Sequence, residues 1–268
     1  MSSKHITRST ALVLLLLATL LTACNGKNTP ISSVGTTAAL KKAQDLFNEA
    51  SKSVLAAGPE TTPSQAARDQ YREVVKIVEA DVLPEVMRDD LKVNALAIDA
   101  FSNWRIGNFD EAVNRSQEGI DICERAQLAS NRRDCAMVRV TGGLVQHEKA
   151  FQEFKSKGSG LLSATDAQAI TQSMNGALAK IDRVNDDLAK DEDFAIWANE
   201  QQLQIIKNAL DVWGKVPNAE DRRQPVCTWS KRGDRLVADR FPESFPQKQD
   251  VQQLLTRIDA ARARFEPC

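Results

Sequence analysis

The sequence predicts an all-α protein. Apolar residues recur at three- and four-residue spacing over long stretches, which is the period of an amphipathic helix. No stretch sustains the period-two alternation that is typical of a half-buried strand. The 12 glycines and 9 prolines leave most of the chain free of helix breakers, and a hydrophobic content of 42% suffices for a buried core.

Four helices are predicted in the N-terminal half, and glycine or proline separates them. The first places Leu40, Ala43 and Phe47 on one face and ends at Gly58, a residue type that favours helix C-termini. Thr62 precedes a proline and is predicted to cap the second helix. The predicted ranges are 36–58, 61–83, 85–106 and 110–128.

Four more helices are predicted in the C-terminal half, with an irregular segment before the last. Gly142 and Gly143 lie within the first of them and predict a close helix approach or a kink, because no strand precedes them as in a glycine-rich ligand loop. Thr165 or Asp166 is expected to cap the next helix. Residues 217–246 are rich in Pro, Arg and Asp, which predicts an irregular strap. The predicted helical ranges are 135–157, 165–188, 194–215 and 249–265.

The stretch Gly107–Val113, Gly-Asn-Phe-Asp-Glu-Ala-Val, resembles the turn of a tetratricopeptide repeat. In that family, Gly ends the first helix in a left-handed conformation, and a small residue, here Ala112, lets the second helix lie close. The resemblance covers one hairpin, and no second copy follows at a spacing of about 34 residues. It implies a solenoid of antiparallel helical hairpins, with a generic antiparallel helical bundle as the alternative.

The N-terminal residues have the pattern of an export signal. Lys4 and Arg8 give a positive start, and residues 11–21 are almost purely apolar. This apolar stretch is shorter than the roughly 20 residues that a membrane-spanning helix needs. A plain secretory signal or a short anchor helix is one interpretation of this pattern, and a lipoprotein signal is the other.

Residues 21–24, Leu-Thr-Ala-Cys, resemble the lipobox of bacterial lipoproteins. In that family the signal is cut before the cysteine, and its thiol and new amine are acylated, so that several acyl chains anchor the protein stably. An Asp after the cysteine tends to retain Gram-negative lipoproteins in the inner membrane. The resemblance therefore implies lipidation at Cys24 and, because Asn25 follows it, an outer-membrane location facing the periplasm.

These patterns divide the chain into four parts. The predicted parts are a signal peptide (1–23), a flexible tether (24–36), a helical-repeat domain (37–216), and the strap with a C-terminal helix packed on it (217–268).

The five cysteines agree with export to an oxidising compartment. If Cys24 carries lipid, Cys123, Cys135, Cys227 and Cys268 remain, an even number that allows three pairings. We favour Cys123–Cys135, which joins the end of one predicted helix to the start of the next, and Cys227–Cys268, which ties the last residue to a loop. A redox pair or a metal site is the alternative, although the sequence contains no Cys-x-x-Cys.

Charge and composition argue against several function classes. Cleavage before Cys24 removes Lys4 and Arg8 and no acid, so the formal net charge changes from −1 to −3. Such a balance argues against nucleic acid as a partner, because phosphates are bound through a basic face. His147 is the one histidine after residue 23, which argues against histidine-based metal sites and Ser-His-Asp catalysis. We therefore expect no metal, no cofactor and no enzymatic activity.

The expected function is that of a non-catalytic adaptor. The resemblance to tetratricopeptide domains implies a concave face that binds another envelope protein or peptide, with acyl chains holding the adaptor at the membrane. The candidate binding residues lie on the first helix of the recognised hairpin and are Asn94, Asp99, Asn103 and Arg105.

The alternative function is that of a periplasmic small-ligand-binding or transporter-accessory lipoprotein. It requires an enclosed aromatic pocket, for which Trp104, Trp197 and Trp213 are candidates, although tryptophans more often pack in a core. A basic cluster near Trp229 is a candidate for contact with an anionic partner, but interleaved acids favour internal pairing. The cluster comprises Arg222, Arg223, Lys231, Arg232, Arg235 and Arg240.

Overall fold

The computed structural model describes residues 34–57, 62–126, 131–158, 160–190, 192–242, 249–265 and 268. The predicted signal peptide, Cys24 and most of the predicted tether lie outside these residues. The described ranges contain helices and no strand, which confirms the predicted all-α class. The nine longer helices are α1 (Val34–Ala57), α2 (Gln65–Ile77), α3 (Asp89–Ile106), α4 (Phe109–Ala126), α5 (Arg132–Ser156), α6 (Ala164–Asp182), α7 (Asp193–Gly214), α8 (Ala219–Arg240) and α9 (Gln249–Arg262).

Three short elements complete the described helical structure. A π-helical turn, Val78–Val82, continues α2, and its wider winding lets the Leu83 N–H donate to the Val78 carbonyl. A single helical turn, Val184–Asp187, follows α6, and a 3₁₀ turn, Ala263–Phe265, follows α9.

The helices form hairpins that stack in chain order. Within the hairpins, α1 packs against α2, α3 against α4, α5 against α6, and α7 against α8. Each even-numbered helix also packs against the odd-numbered helix that follows it, and successive odd-numbered helices contact one another. Each hairpin therefore rests mainly on its neighbours, as in a solenoid, and α9 covers the last hairpin.

The turn between α3 and α4 has the geometry that its sequence predicts. Gly107 ends α3 with a φ of 89°, in the left-handed region where a residue without a β-carbon is favoured. Its N–H donates to the Trp104 carbonyl at 3.1 Å, and the Asn108 N–H donates to the Asn103 carbonyl at 2.9 Å. Ala112 is fully buried, which lets α4 lie close to α3.

The core consists of two large apolar clusters and a smaller one. One large cluster lies among α1, α2 and α3, and the other extends from α5 to α9. The smaller cluster lies among α3, α4 and α5 and contains the Cys123–Cys135 disulfide. Trp104 and Trp197 pack against both large clusters, so they join the two halves of the molecule.

Both favoured disulfide pairings are confirmed. Cys123 in α4 is bonded to Cys135 in α5, 12 residues later, with Cα atoms 5.8 Å apart. Cys227 is bonded to Cys268, 41 residues later, with Cα atoms 5.3 Å apart. Cys227 lies in a helix, not in the predicted loop.

The predicted irregular strap is wrong, because residues 219–240 form α8. The Asn218 side chain caps this helix by accepting the Glu220 N–H at 3.0 Å. Pro225 lies inside the helix and costs it a backbone hydrogen bond, but the buried stripe outweighs this cost. The stripe has three- and four-residue spacing and comprises Val226, Trp229, Ser230, Gly233 and Leu236.

Two predicted helix caps are also displaced. Ser64, not Thr62, caps α2 by accepting a first-turn N–H at 3.2 Å. Ser163 caps α6 by accepting the Asp166 N–H at 3.0 Å, and its hydroxyl donates to Asp166 Oδ2 at 2.7 Å. Asp166 therefore supports the cap as a first-turn partner, and Thr165 lies within the helix.

Candidate functional site

A row of aromatic rings joins three odd-numbered helices: Phe47 of α1, Phe101 and Trp104 of α3, and Trp197 and Phe194 of α7. The ring centroids of Phe101 lie 5.4 Å from Phe47, 5.1 Å from Trp104 and 6.3 Å from Trp197. Phe194 continues the row 5.4 Å from Trp197. A spacing of three residues within α3 and within α7 puts each pair of rings on one helix face. We call these five residues the aromatic row.

One end of the aromatic row is partly exposed. Phe47 and Phe101 are 9% exposed, whereas Trp104, Trp197 and Phe194 keep a larger part of their surface in solvent. The Arg105 guanidinium lies 4.9 Å from the Trp104 ring centroid, a cation–π arrangement. Burial lowers the pKa of Arg105 from its ordinary value. The exposed end therefore combines aromatic surface with a cation.

Of the four predicted binding residues, three lie inside the protein. Asn94, Asp99 and Asn103 are 7%, 0% and 1% exposed, so their side chains do not line an open face. The physical reason is that α3 is surrounded by other helices, and every residue from 93 to 103 is buried. Arg105 is the member of the predicted set that reaches partly exposed surface, beside the aromatic row.

Asn94 belongs to a polar chain that links α1, α3 and α5. Gln44 Nε2 donates to Asn94 Oδ1 at 2.7 Å, and Asn94 Nδ2 donates to Asp134 Oδ1 at 3.1 Å. Asn131 Nδ2 donates to the other Asp134 oxygen at 3.2 Å. Burial raises the pKa of Asp134 from 3.8 to about 6, although these amides stabilise its charged form. Asp134 is not among the predicted site residues, and its only signal in the sequence is its place beside Cys135.

Asp99 and Asn103 belong to a second polar chain, within the α3–α4 hairpin. Asn108 Nδ2 donates to Asn103 Oδ1, and Asn103 Nδ2 donates to Asp99 Oδ1, both at 3.1 Å. The Arg115 guanidinium of α4 lies beside the other Asp99 oxygen, with Nε 3.0 Å from Oδ2. Burial and the Glu79 carboxylate raise the pKa of Asp99 from 3.8 to about 7, although Arg115 lowers it.

A surface depression of about 560 Å³ lies between the start of α5 and the turn after α6. Two of its acidic side chains have partners: Asp187 is ion-paired with the buried Arg139, and Glu192 accepts the Ala189 N–H at 2.9 Å. None of the three predicted pocket tryptophans lines it, and Trp213 is 5% exposed in the C-terminal core. The lining residues are Arg132, Arg133, Asp186, Asp187, Leu188, Ala189 and Glu192.

The predicted basic cluster is spread along α8, and several of its members have internal partners. Arg222 lies 5.3 Å from the Phe265 ring, and Arg232 donates to Asn175 Oδ1 at 2.8 Å. Arg240 lies 3.6 Å from Asp182 Oδ1. These three members of the cluster therefore have partners within the protein, although the partners lie on α6 and the 3₁₀ turn, and the interleaved Asp234 pairs with Arg262 of α9.

His147 is a buried residue of the α5–α7 contact. Its Nε2 lies 3.0 Å from Asn208 Nδ2, and its ring stacks on Phe151 with centroids 5.8 Å apart. Because the amide nitrogen is a donor, Nε2 accepts and the ring proton lies on Nδ1. Burial lowers the pKa of His147 from 6.5 to about 4, so the ring is neutral near pH 7.

Within the described ranges, no group of three or more His, Cys, Asp or Glu side chains is arranged to hold a metal ion. None of the helices in the same part of the chain is both long and apolar enough to cross a membrane. Comparisons with family models, with curated proteins and with solved structures find no match to this chain.

Proposed function

We propose that this protein is a lipid-anchored periplasmic adaptor that binds another envelope protein through the exposed end of the aromatic row. The observation that carries the proposal is that Trp104, Trp197 and Phe194 are partly exposed together, beside the Arg105 cation. Large aromatic side chains and arginine are the residue types that most often dominate binding energy at protein interfaces.

The position of these rings favours a macromolecular partner. They come from α3 and α7, two helices that belong to different hairpins, so a partner that covers them spans the junction between the two large core clusters. Apolar side chains of a bound segment would contact the rings, and a carboxylate of that segment would pair with Arg105.

The buried acids support a non-catalytic role. Asp99 and Asp134 have raised pKa values, which often mark catalytic groups. Both are less than 9% exposed and are held by amide or guanidinium groups of neighbouring helices. A substrate therefore has no direct access to either carboxyl, and we assign both to the interior structure.

The lipobox-like sequence supplies the anchoring part of the proposal. Acylation at Cys24 would place the helical domain next to a membrane surface, and the proposed location is the outer membrane facing the periplasm. Anchoring limits the partner to proteins that reach the same surface, which raises the effective concentration of that partner.

Photo-cross-linking at the aromatic row tests the proposal. A benzophenone amino acid replaces Phe194 in the full-length protein, and irradiated cells are searched for cross-linked proteins. The same amino acid at Leu161, which is 73% exposed and outside the aromatic row, is the matched control. We expect a defined protein to cross-link from position 194 and not from position 161.

A second comparison tests whether Arg105 contributes to binding when the membrane anchor is unchanged. The substitution Arg105→Gln is expected to weaken that cross-link several-fold, because it removes the charge next to Trp104. Equal cross-linking from positions 194 and 161, or no cross-linked protein from either, would contradict the proposed binding surface.

A further inference from the structure

Arg115 of α4 lies among carboxylates from three elements. Its Nη2 lies 2.8 Å from Glu111 Oε1 and 3.3 Å from Glu79 Oε1. Its Nε lies 3.0 Å from Asp99 Oδ2, and its Nη1 lies 3.8 Å from Glu118 Oε2. One guanidinium therefore faces four carboxylates, and these negative charges repel one another. We call these five residues the Arg115 cluster.

Asp99 is the buried member of the Arg115 cluster. Its side chain is 0% exposed, whereas Glu79, Glu111 and Glu118 are 37–39% exposed and keep part of their hydration. The Arg115 Nε–H does not point at Asp99 Oδ2 well enough for a hydrogen bond, so the ion pair offsets only part of the desolvation. A neutral carboxyl at Asp99 lowers both the desolvation cost and the repulsion.

The charged groups around α3 come from several packed elements. On the Arg115 side, Glu79 belongs to the π-helical turn, and Lys92 Nζ balances Glu118 at 2.7 Å. On the opposite side, Asp134 of α5 meets the Asn94 amide. Burial and the Glu79 and Glu111 carboxylates raise the pKa of Asp99 to about 7, and Arg115 opposes them.

We propose that Asp99 is a proton-responsive anchor of the α3–α4 hairpin. The neutral carboxyl avoids the desolvation cost of its buried position, and it still accepts from Asn103, which holds the last two turns of α3. The ionised carboxyl repels Glu79 and Glu111 and loosens these turns, which carry Trp104 of the aromatic row. A rise in pH therefore makes the exposed end of the aromatic row more mobile, whatever partner it binds.

Proton linkage gives the direction in which stability changes with pH. Because the pKa of Asp99 is about 7 in the folded chain and 3.8 as a free side chain, the folded state binds the proton more tightly. Its stabilising contribution is fully present below about pH 4 and is lost as the pH rises through about 7. Across this window, Asp99 alone raises the unfolding equilibrium constant by up to about tenfold per pH unit.

Two other buried groups titrate in the same range. Like Asp99, Asp134 contributes stability that is lost as the pH rises, in this case through about pH 6. His147 acts with the opposite sign: its pKa is lowered from 6.5 to about 4, so its contribution is lost as the pH falls through that interval. The pH dependence of the wild type alone thus mixes contributions from at least these three described groups, and a comparison with an Asp99 variant isolates one.

The test uses the full chain and the variant Asp99→Asn, which keeps the shape and neutrality of the protonated side chain. Urea unfolding at pH 5 and pH 7 gives the ratio of unfolding constants, wild type to variant. We expect this ratio to rise at least about tenfold from pH 5 to pH 7. The matched control is Asp45→Asn, an exposed α1 carboxylate, for which the ratio is expected to stay constant within about twofold.

A measurement on the wild type covers the case in which the variant does not fold. Carboxyl carbon NMR follows the ionisation of Asp99 directly, and amide hydrogen exchange, corrected for intrinsic rates, follows the last two turns of α3. We expect a titration midpoint well above pH 5 and less protection of these amides at pH 8 than at pH 6, with α6 as the reference. The proposal would be overturned by a ratio of unfolding constants that does not change between pH 5 and pH 7. An Asp99 titration midpoint below pH 5, or amide protection of α3 that is independent of pH, would also overturn it.

Discussion

At Gly143, α5 passes so close to α6 that a β-carbon has no space. A Cβ built at this position would lie 2.6 Å from Ile181 Cγ1 and 2.8 Å from the Ala177 carbonyl oxygen. At the preceding Gly142, the nearest atom, Ser116 Cβ, would lie 3.3 Å away. The predicted close approach of helices at this glycine pair is confirmed, and it depends mainly on the second glycine.

The two glycines give a matched pair of variants. Gly143→Ala is expected to destabilise the protein by about 1–3 kcal/mol, because a backbone oxygen cannot move aside as a flexible side chain can. Gly142→Ala is expected to change stability by less than about 1 kcal/mol, since the gain in helix propensity offsets a small shift of Ser116. Urea unfolding of both variants measures the difference. Equal stability of the two would contradict the assigned contact.

Three polar residues of α3 lie inside the protein, contrary to the prediction from the sequence. The sequence predicts that Asn94, Asp99 and Asn103 face a partner, because polar residues on an amphipathic helix normally face outwards. Since α3 is buried on all sides from residue 93 to residue 103, its polar groups pair internally. Apolar periodicity identifies a helix that has one solvent-exposed face. It does not identify a helix that other helices surround.

At the scale of elements, the sequence predicts eight of the nine longer helices and misses α8. Two of the eight predicted ranges, 61–83 and 165–188, extend over the short helical turns that follow α2 and α6. The Pro, Arg and Asp content of residues 217–246 predicts an irregular strap, although the buried stripe of α8 has helical spacing. Tertiary packing of Trp229 and Leu236 against the C-terminal core outweighs the cost of Pro225. In such a segment, residue composition is therefore a weaker indicator of helical structure than the spacing of apolar residues.

The Cys227–Cys268 disulfide is expected to hold the C-terminal helix in place. Replacing both cysteines with serine should cost about 4 kcal/mol in the chain-entropy model, given the 41-residue separation. We expect the amides of α9 to exchange faster while those of α1–α4 keep their protection, because in the described part of the chain α9 packs mainly on α7, α8 and the 3₁₀ turn that follows it. Hydrogen exchange with mass spectrometry measures both regions.

The other disulfide provides the control for this prediction. Replacing Cys123 and Cys135 should cost about 3 kcal/mol for a separation of 12 residues, and the faster exchange should appear at the junction of α4 and α5. The same exchange pattern in both double variants would contradict the assignment of each disulfide to its own end of the stack.

At the scale of the whole molecule, one recognisable turn predicted the general architecture. The glycine at Gly107 and the small Ala112 indicated a tight hairpin, and the remaining hairpins followed from apolar spacing and breakers. The sequence does not predict the aromatic row as a unit, although Trp104 and Trp197 are candidates for a pocket. Contacts between helices of different hairpins depend on how the hairpins pack on one another, which local sequence does not specify.

The placement of the molecule at a membrane is a prediction that depends on Cys24. The nine residues between this cysteine and α1 can span at most about 35 Å, so the start of α1 would stay within that distance of the bilayer. We expect mass spectrometry of the wild type to find an acylated N-terminal peptide that begins at Cys24. In Cys24→Ala, the acyl groups should be absent and residues 1–23 retained, because cleavage in lipoproteins follows acylation of the cysteine thiol.

A second variant tests the expected sorting with lipidation intact. Asn25→Asp introduces the residue that retains Gram-negative lipoproteins in the inner membrane, and it leaves Cys24 available for acylation. In a Gram-negative host, density-gradient fractionation should recover the wild type with the outer membrane and Asn25→Asp with the inner membrane. A wild-type N-terminus without acyl groups would remove the anchor from the proposed function and leave the aromatic row as a soluble binding surface. Inner-membrane recovery of the wild type would correct the location alone.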